Sequence, residues 1–255
     1  MTNRFEGKRV LITGGTNGIG LATAKRIVAE GGEVAVTGTS QEHLDQAGRE
    51  LPSASLVLRN DASDPQAAKD LAAKVKDQMG ELDAVYLNAG YGGQTPIGDT
   101  EPDQFDQMMN VNVRGPILQM NELAPLIKDG GAVLMTSSVA PHIGMPQGSV
   151  YAATKASNAS MARNWARELA DRNIRVNTVA PGPIDTGFFD RYSDESGGMS
   201  EQDMKEMHQR IKQQVPLGRV GNADEVAAVA TFLLSDDASY VTGSEYMVDG
   251  GMTMR

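Results

Sequence analysis

Val10-Leu11-Ile12-Thr13-Gly14-Gly15-Thr16-Asn17-Gly18-Ile19-Gly20-Leu21 runs from a short aliphatic stretch through a glycine-rich loop into an amphipathic segment. It reads as strand, tight loop and helix. Glycine there lets the backbone turn sharply and approach a phosphate, whose charge then faces the N–H groups of the helix start. The spacing is Gly-x-x-x-Gly-x-Gly, from Gly14 to Gly18 and Gly20, rather than the commoner Gly-x-Gly-x-x-Gly. A glycine cluster alone is often only a turn. Its place between a strand and a helix makes Gly14, Thr16, Asn17, Gly18, Ile19 and Gly20 candidate phosphate-binding residues.

The same alternation continues outward from this unit. Val34-Ala35-Val36, Leu56-Val57-Leu58, Ala84-Val85-Tyr86-Leu87, Val133-Leu134-Met135 and Ile174-Arg175-Val176 read as further strands. Helical periodicity fills 18–30, 40–50, 65–79, 103–127 and 150–171, and a helix at 223–235 precedes a last strand at 245–248. Such βαβα order predicts an α/β fold, a doubly wound parallel sheet of about seven strands with helices on both faces. No repeat or Pro/Ser-rich linker interrupts it, so 1–255 reads as a single domain. The exception is 187–214, where Phe188, Phe189 and Tyr192 precede Gly197-Gly198 and a charged helix. It is a candidate substrate lid with glycine hinges, or equally a plain surface excursion.

Composition removes several function classes. With 40% apolar and 22% charged residues, the chain has ordinary soluble composition and ample core material. No Cys excludes disulfides and thiolate metal sites. His43, His142 and His208 are scattered, and no His/Asp/Glu group has metal-ligand spacing, so no metal is expected. A net charge of −10 argues against a nucleic-acid surface. Met1-Thr2-Asn3-Arg4-Phe5-Glu6 has no apolar leader core, and no run of about 18 apolar residues occurs. The expectation is a cytoplasmic protein without a membrane partner.

The strand ends supply the next candidates. The second closes at Thr37-Gly38-Thr39-Ser40, where an NAD site usually presents an acid to the ribose hydroxyls. None stands there. Glu42 is near, but Thr39-Ser40-Gln41-Glu42 has capping-box spacing, which makes Glu42 a helix-start residue. Thr39 and Ser40 hydroxyls could accept a 2′-phosphate, although no Arg follows Gly38 to pair with it. NADP(H) is therefore favoured, with NAD(H) possible. Asp61 follows the third strand; because Asp64-Pro65 already supplies an N-cap and N1 proline, Asp61 is free to meet an adenine. Asn88-Ala89-Gly90 closes the fourth strand with small residues, suiting either close approach to a ligand or a simple turn.

Tyr151 and Lys155 are four apart and so share one helix face. A free phenol has a pKa of about 10, too high for efficient proton shuttling near neutrality. A cation about 4 Å away, at an effective dielectric near 20, is worth roughly 4 kcal/mol. That could lower the phenol pKa by up to about three. The pair is common on exposed helices; the glycine loop in the same chain makes it a catalytic candidate.

Taken together, these residues resemble the short-chain dehydrogenase/reductase family over nearly the whole chain. The resemblance rests on Thr-Gly-x-x-x-Gly-x-Gly, Asp61, Asn88-Ala89-Gly90, Asn112, Ser138, Tyr151-x-x-x-Lys155 and Pro181-Gly182, in family order. Pro216-Leu217-Gly218-Arg219, Val241-Thr242-Gly243 and Val248-Asp249-Gly250-Gly251 extend it. It implies a Rossmann-like fold and hydride transfer between a nicotinamide and a carbonyl or hydroxyl carbon. By that resemblance Tyr151 is the general acid/base, Ser138 hydrogen-bonds the reacting oxygen, and Lys155 binds the nicotinamide ribose. Asn112 would hold a water, while Ile184 and Thr186, leaving Pro181-Gly182-Pro183, would orient the nicotinamide amide. Family spacing selects Ser138 over Ser137 and Asn112 over Asn110, leaving those neighbours to local hydrogen bonding.

His142, Met145, Gln147 and Phe188 are candidate substrate contacts, and Met199, Met204 and Met207 could wall the pocket or simply pack. The substrate expected is a small, partly apolar carbonyl or alcohol compound. The resemblance also implies a homodimer or homotetramer joined through 103–127 and 150–171, with Met161 and Trp165 in that face or in the core. Three functions compete: an NADP-linked carbonyl reductase, an NAD-linked alcohol or sugar dehydrogenase, and a non-catalytic nucleotide or ligand binder. The complete Asn112, Ser138, Tyr151 and Lys155 set favours the first.

Overall fold

Alternate residues of each central strand point into two separate apolar layers, as expected for parallel strands buried on both faces. The computed structural model describes residues 3–186 and 201–254. Its main sheet comprises β1 (Arg9–Thr13), β2 (Glu33–Gly38), β3 (Leu56–Arg59), β4 (Leu82–Leu87), β5 (Ile127–Thr136), β6 (Arg175–Pro181) and a last strand, β9 (Glu245–Val248). The order is β3-β2-β1-β4-β5-β6-β9, with every pair parallel. Two shorter strands, β7 (Ile184–Asp185) and β8 (Gly221–Asn222), form a separate parallel pair.

The helices are α1 (Gly18–Ala29), α2 (Gln41–Glu50), α3 (Pro65–Gln78), α4 (Pro102–Met109), α5 (Gly115–Leu123), α6 (Ser149–Glu168), α7 (Glu201–Gln214) and α8 (Ala223–Leu234). Val10, Ile12, Val34, Val36, Tyr86 and Leu134 face α1 and α8. Their neighbours Leu11, Ala35, Val85, Val133 and Met135 face α3, α5 and α6. Each layer excludes water from one side of the sheet, and burial of that area drives the fold. Among the described residues, no helix is long and apolar enough to cross a membrane.

The single helix expected over 103–127 is divided. Between α4 and α5 lies a π-helical turn, Asn110–Arg114, and α5 ends in a 3-10 turn, Ala124–Leu126. Pro116 has no N–H to give the Asn112 carbonyl four residues back, so regular α-helical bonding cannot run through this point. The chain widens instead, with Gly115 N–H bonding the Asn110 carbonyl. This places Asn112 in the turn itself, fully buried. The expected lid segment is described only in α7; Phe188, Phe189, Tyr192, Gly197, Gly198, Met199 and the side chains of Met204 and Met207 lie outside the described residues.

The short β7–β8 pair was not legible in the sequence. It ties the chain leaving β6 to the start of α8, with Gly221 N–H bonding the Pro183 carbonyl at 3.0 Å. Asn222 and Glu225 close a capping box on α8, and Arg219 holds Glu225 from outside.

Candidate active site

The carboxyl ends of β1, β4, β5 and β6 meet at one edge of the sheet, where the polypeptide must leave each strand for a helix. A largely apolar cavity of about 390 Å³ opens there. On one side it is lined by Gly14, Asn17, Gly18 and Ile19, and on the other by Ser138, Met145, Gln147, Tyr151 and Lys155. Asn88, Ala89, Gly90, Pro181, Gly182, Ile184 and Thr186 complete it.

The glycine loop is held by packing as well as by its turn. Gly14 has φ +61°, and a side-chain carbon there would fall 2.8 Å from Ala89 Cα. At Gly20 it would strike the Gly14 carbonyl and come within 2.7 Å of Asn88 Nδ2. Asn88 spends its side chain on this arrangement: Nδ2 donates to the Gly14 carbonyl at 2.9 Å, and Oδ1 accepts from Thr136 Oγ1 at 2.9 Å. Asn17, the N-cap of α1, is extended and makes no side-chain cap, and the first turn carries no acid. The first N–H groups of α1 are thus left to an anion at the cavity. Thr16 is buried against Gly38 and does not line the cavity, nor does Gly20.

Thr39, Ser40 and Asp61 stand on exposed surface beyond the cavity, at the ends of β2 and β3. The N-cap of α2 is Ser40, whose Oγ accepts from His43 N at 3.4 Å. The capping box expected from Thr39 to Glu42 therefore does not form, and Glu42 is simply exposed in the first turn of α2. Asp64 caps α3 as anticipated, accepting from Gln66 N at 2.8 Å. Asp61 is nonetheless engaged, since its Oδ1 accepts from Ser63 N and Oγ at 2.9 and 2.7 Å.

Tyr151 and Lys155 project from the first turns of α6 beside the end of β5. Lys155 is buried, and its Nζ donates to the Thr136 carbonyl at 3.0 Å. Asn158 Nδ2 shares that carbonyl at 3.1 Å. The ammonium lies 5.8 Å from the centre of the Tyr151 ring, over its face rather than beside its hydroxyl. The expected depression of the phenol does not appear. Burial pushes Tyr151 up to about 12, against the lowering effect of its hydrogen bond with Ser138. Burial likewise brings Lys155 down to about 8. Removal from water outweighs the pairing that spacing alone suggests.

Ser138 stands in the turn after β5, and its Oγ accepts from Ala140 N at 3.1 Å. Ser137, which also lines the cavity, donates its hydroxyl to the Lys155 carbonyl at 3.1 Å, tying the end of β5 to α6. The Asn112 side chain is committed as well. Its Nδ2 donates to the Tyr91 carbonyl at 2.7 Å and to Thr154 Oγ1 at 3.0 Å, and its Oδ1 accepts from Tyr91 N at 2.8 Å.

Of the substrate candidates, Met145 and Gln147 line the cavity. Gln147 holds φ +62°, with its carbonyl accepting from Thr95 N at 2.7 Å. His142 does not line it: its Nε2 meets Glu245 Oε2 on β9 at 3.1 Å, so the ring is drawn to the last strand. Ile211 of α7 and Met252 near the carboxyl end also reach the cavity. Ile211 lies within 187–214, the segment singled out in the sequence, whereas nothing in local sequence marks Met252, which the C-terminal turn brings there. Asp249 holds that turn, accepting from Gly251 N and from Thr253 N and Oγ1. Among the described residues no group of three His, Asp or Glu could hold a metal ion.

Comparison with known proteins identifies the family and the fold. The family model described as enoyl-(acyl carrier protein) reductase matches residues 14–253. Oxidoreductase asL5 of Sarocladium schorii is 39% identical over 251 residues, covering 98% of this chain and 97% of that protein. A solved short-chain dehydrogenase/reductase from Serratia marcescens superposes with a TM-score of 0.87 at 29% identity, covering 98% and 99% of the two chains. A blue fluorescent protein from a metagenomic library, solved with NADPH, gives a TM-score of 0.86 at 30% identity over 97% and 98%. A glycine loop facing the hydroxyls of Ser138 and Tyr151, on a parallel sheet matched along its length, leads to one conclusion: this chain is an oxidoreductase of the short-chain dehydrogenase/reductase family.

Proposed function

We propose that the protein reduces the carbonyl group of a small, partly apolar compound using NADPH, with Tyr151 as the general acid. The observation that carries this reading is the hydrogen-bonded pair of Ser138 and Tyr151 hydroxyls at the wall of a cavity whose opposite wall is the glycine loop. A bound nicotinamide supplies the hydride for such chemistry. Tyr151 gives its phenolic proton to the substrate oxygen as negative charge builds there. Ser138 donates a hydrogen bond to the same oxygen and stabilises that charge. In the oxidative direction the same tyrosine, deprotonated, takes the proton back.

Lys155 Nζ donates to the Thr136 carbonyl, and its remaining N–H groups suit ribose hydroxyls. The first N–H groups of α1, with Asn17, Gly18 and Ile19, would hold the pyrophosphate; Ile184 and Thr186 would meet the nicotinamide amide. Asp61 and the backbone of Asn88-Ala89-Gly90 complete the adenosine and ribose contacts. Asn112 acts as a positioning residue, clamping Tyr91 and so fixing Gly90 next to Lys155. NADPH is favoured because Thr39 and Ser40 are exposed and no acid ends β2. The NADPH complex of a similar protein supports that choice. A second reading, an NAD-linked alcohol or sugar dehydrogenase, is favoured by Glu42, which stands exposed in the first turn of α2.

Met145, Gln147, Ile211 and Met252 shape the substrate end. Phe105 on α4 and Ile117 on α5 are exposed, consistent with a second copy docking on that side. Fluorescence titration with NADPH and NADH, followed by a carbonyl panel assayed by loss of NADPH absorbance, tests the reading. Tyr151→Phe should cut turnover by at least about a hundredfold while NADPH affinity changes less than about threefold. Turnover that survives Tyr151→Phe would overturn the mechanism; tighter binding of NADH would move the second reading to the front.

A further inference from the structure

The missing cation for a 2′-phosphate is supplied from a neighbouring strand rather than from the residues after Gly38. We propose that Arg59, the last residue of β3, is the 2′-phosphate-recognising residue of this protein and sets its preference for NADPH. This rests on the reading above that NADPH is the cofactor.

Arg59 lies directly opposite Gly38 in the β2–β3 register, so it reaches the end of β2 laterally although it is 21 positions later in the chain. Its guanidinium sits over the start of α2, with Nη2 donating to Gln41 Oε1 at 3.2 Å. Gln41 is the first residue of α2, and Ser40 is its N-cap. The cation is therefore held beside the two hydroxyl residues that end β2. No carboxylate pairs with Arg59 among the ion pairs of the described residues, whereas Arg4, Arg9, Arg26, Arg172 and Arg219 each meet one. Its side chain is exposed, and among the described residues it is tethered through the Gln41 amide, whose Nε2 donates in turn to Asp45 Oδ1 at 2.7 Å. A doubly charged phosphate can displace that neutral tether.

The opposite side of this corner is also built. Asn17 Nδ2 and His43 Nδ1 are 3.3 Å apart, joining the glycine loop to α2. Thr16 is packed against Gly38, and a side chain at that position would collide with it, so the end of β2 stays low. A phosphate on the adenosine ribose would then meet Arg59 and the Thr39 and Ser40 hydroxyls, with the carboxylates of Glu42 and Asp45 on the first two turns of α2. An arginine fork there offers several N–H donors to one phosphate and none that an unmodified ribose hydroxyl requires. The contribution to discrimination comes from charge, and salt should screen it because the group is exposed.

The test uses direct binding rather than turnover. NADPH, NADH, adenosine 2′,5′-bisphosphate and 5′-AMP are titrated into the full-length protein and into Arg59→Met by calorimetry. The expected result is a loss of about tenfold or more in affinity for NADPH and the bisphosphate, with NADH and 5′-AMP changed less than about twofold. The wild-type preference for the bisphosphate should shrink with added salt, and Arg59→Lys should recover part of it. A wild-type preference for NADPH that Arg59→Met leaves intact overturns the role of Arg59 but not the cofactor reading. No wild-type preference for NADPH overturns both. An equal loss for all four compounds would show that Arg59 merely supports the fold of this corner, and would also overturn the proposal.

Discussion

Lys155→Met should make the ligand-free protein more stable at neutral pH while destroying its activity. The wild-type ammonium is out of water, donating to the Thr136 carbonyl at 3.0 Å. Burial lowers its pKa from 10.5 to about 8. That difference corresponds to about 3 kcal/mol of cost for keeping the charged form in the folded state. Methionine has nearly the same length and no charge. The carbonyl keeps a donor, because Asn158 Nδ2 lies 3.1 Å from it. Setting about 1.5–2 kcal/mol against the lost charged hydrogen bond leaves a net gain of about 1–1.5 kcal/mol. In a chain of this size that is a rise in Tm of roughly 2–6 °C.

The pH dependence provides a second check. Below about 8 the lysine is charged in both states, so the full cost is present. Between about 8 and 10.5 the unfolded chain binds more protons than the folded one, and wild-type stability rises relative to the variant. The gap should narrow steadily across that window. Tyr151, pushed up to about 12, loses stability only above the unfolded value of 10, and this loss is common to both proteins. Urea unfolding of both proteins at a neutral and an alkaline pH measures the difference. A variant less stable than wild type at neutral pH would refute the reasoning, as would a gap independent of pH.

Asn112→Leu keeps the shape of a buried side chain but removes the bonds to Tyr91 and Thr154. It should cost about 2–4 kcal/mol, seen in calorimetry as a fall in Tm of roughly 10 °C; an unchanged Tm would show that the clamp is not structural. His142→Ala removes the contact with Glu245, whose Oε1 has no partner among the described residues, and should destabilise by about 1–2 kcal/mol. Because the ring does not line the cavity, kcat/KM for any reduced carbonyl should stay within about threefold; a larger loss would return His142 to the substrate site.

The main sheet was legible because its signals are local. Gly14 to Gly20 fits a strand before and a helix after, and the aliphatic runs recurred at intervals long enough for a helical crossover between parallel strands. Asp64-Pro65 announced the start of α3, and the last strand falls at Glu245–Val248 as its pattern indicated. The division of 103–127 was less accessible, since Pro116 was present in the sequence but its effect depends on where the Asn112 carbonyl is needed. The β7–β8 pair, two residues in each strand, carries no periodicity at all.

For the site, sequence alone determined the residue types that could do the chemistry, because Ser138, Tyr151 and Lys155 are placed by strand end and helix phase. Their electrostatics belonged to the tertiary structure. Spacing brings an ammonium near a phenol, but burial, opposed at Tyr151 by the hydrogen bond with Ser138, decides which way each group titrates. The same holds at the periphery. His142 was near the site in sequence and is drawn off by Glu245, whereas Met252 and Arg59 are distant in sequence and are brought in by the C-terminal turn and the β2–β3 register. Local pattern reports what one element does with its own residues; which groups lose water, and which face each other across elements, is settled only when the layers close.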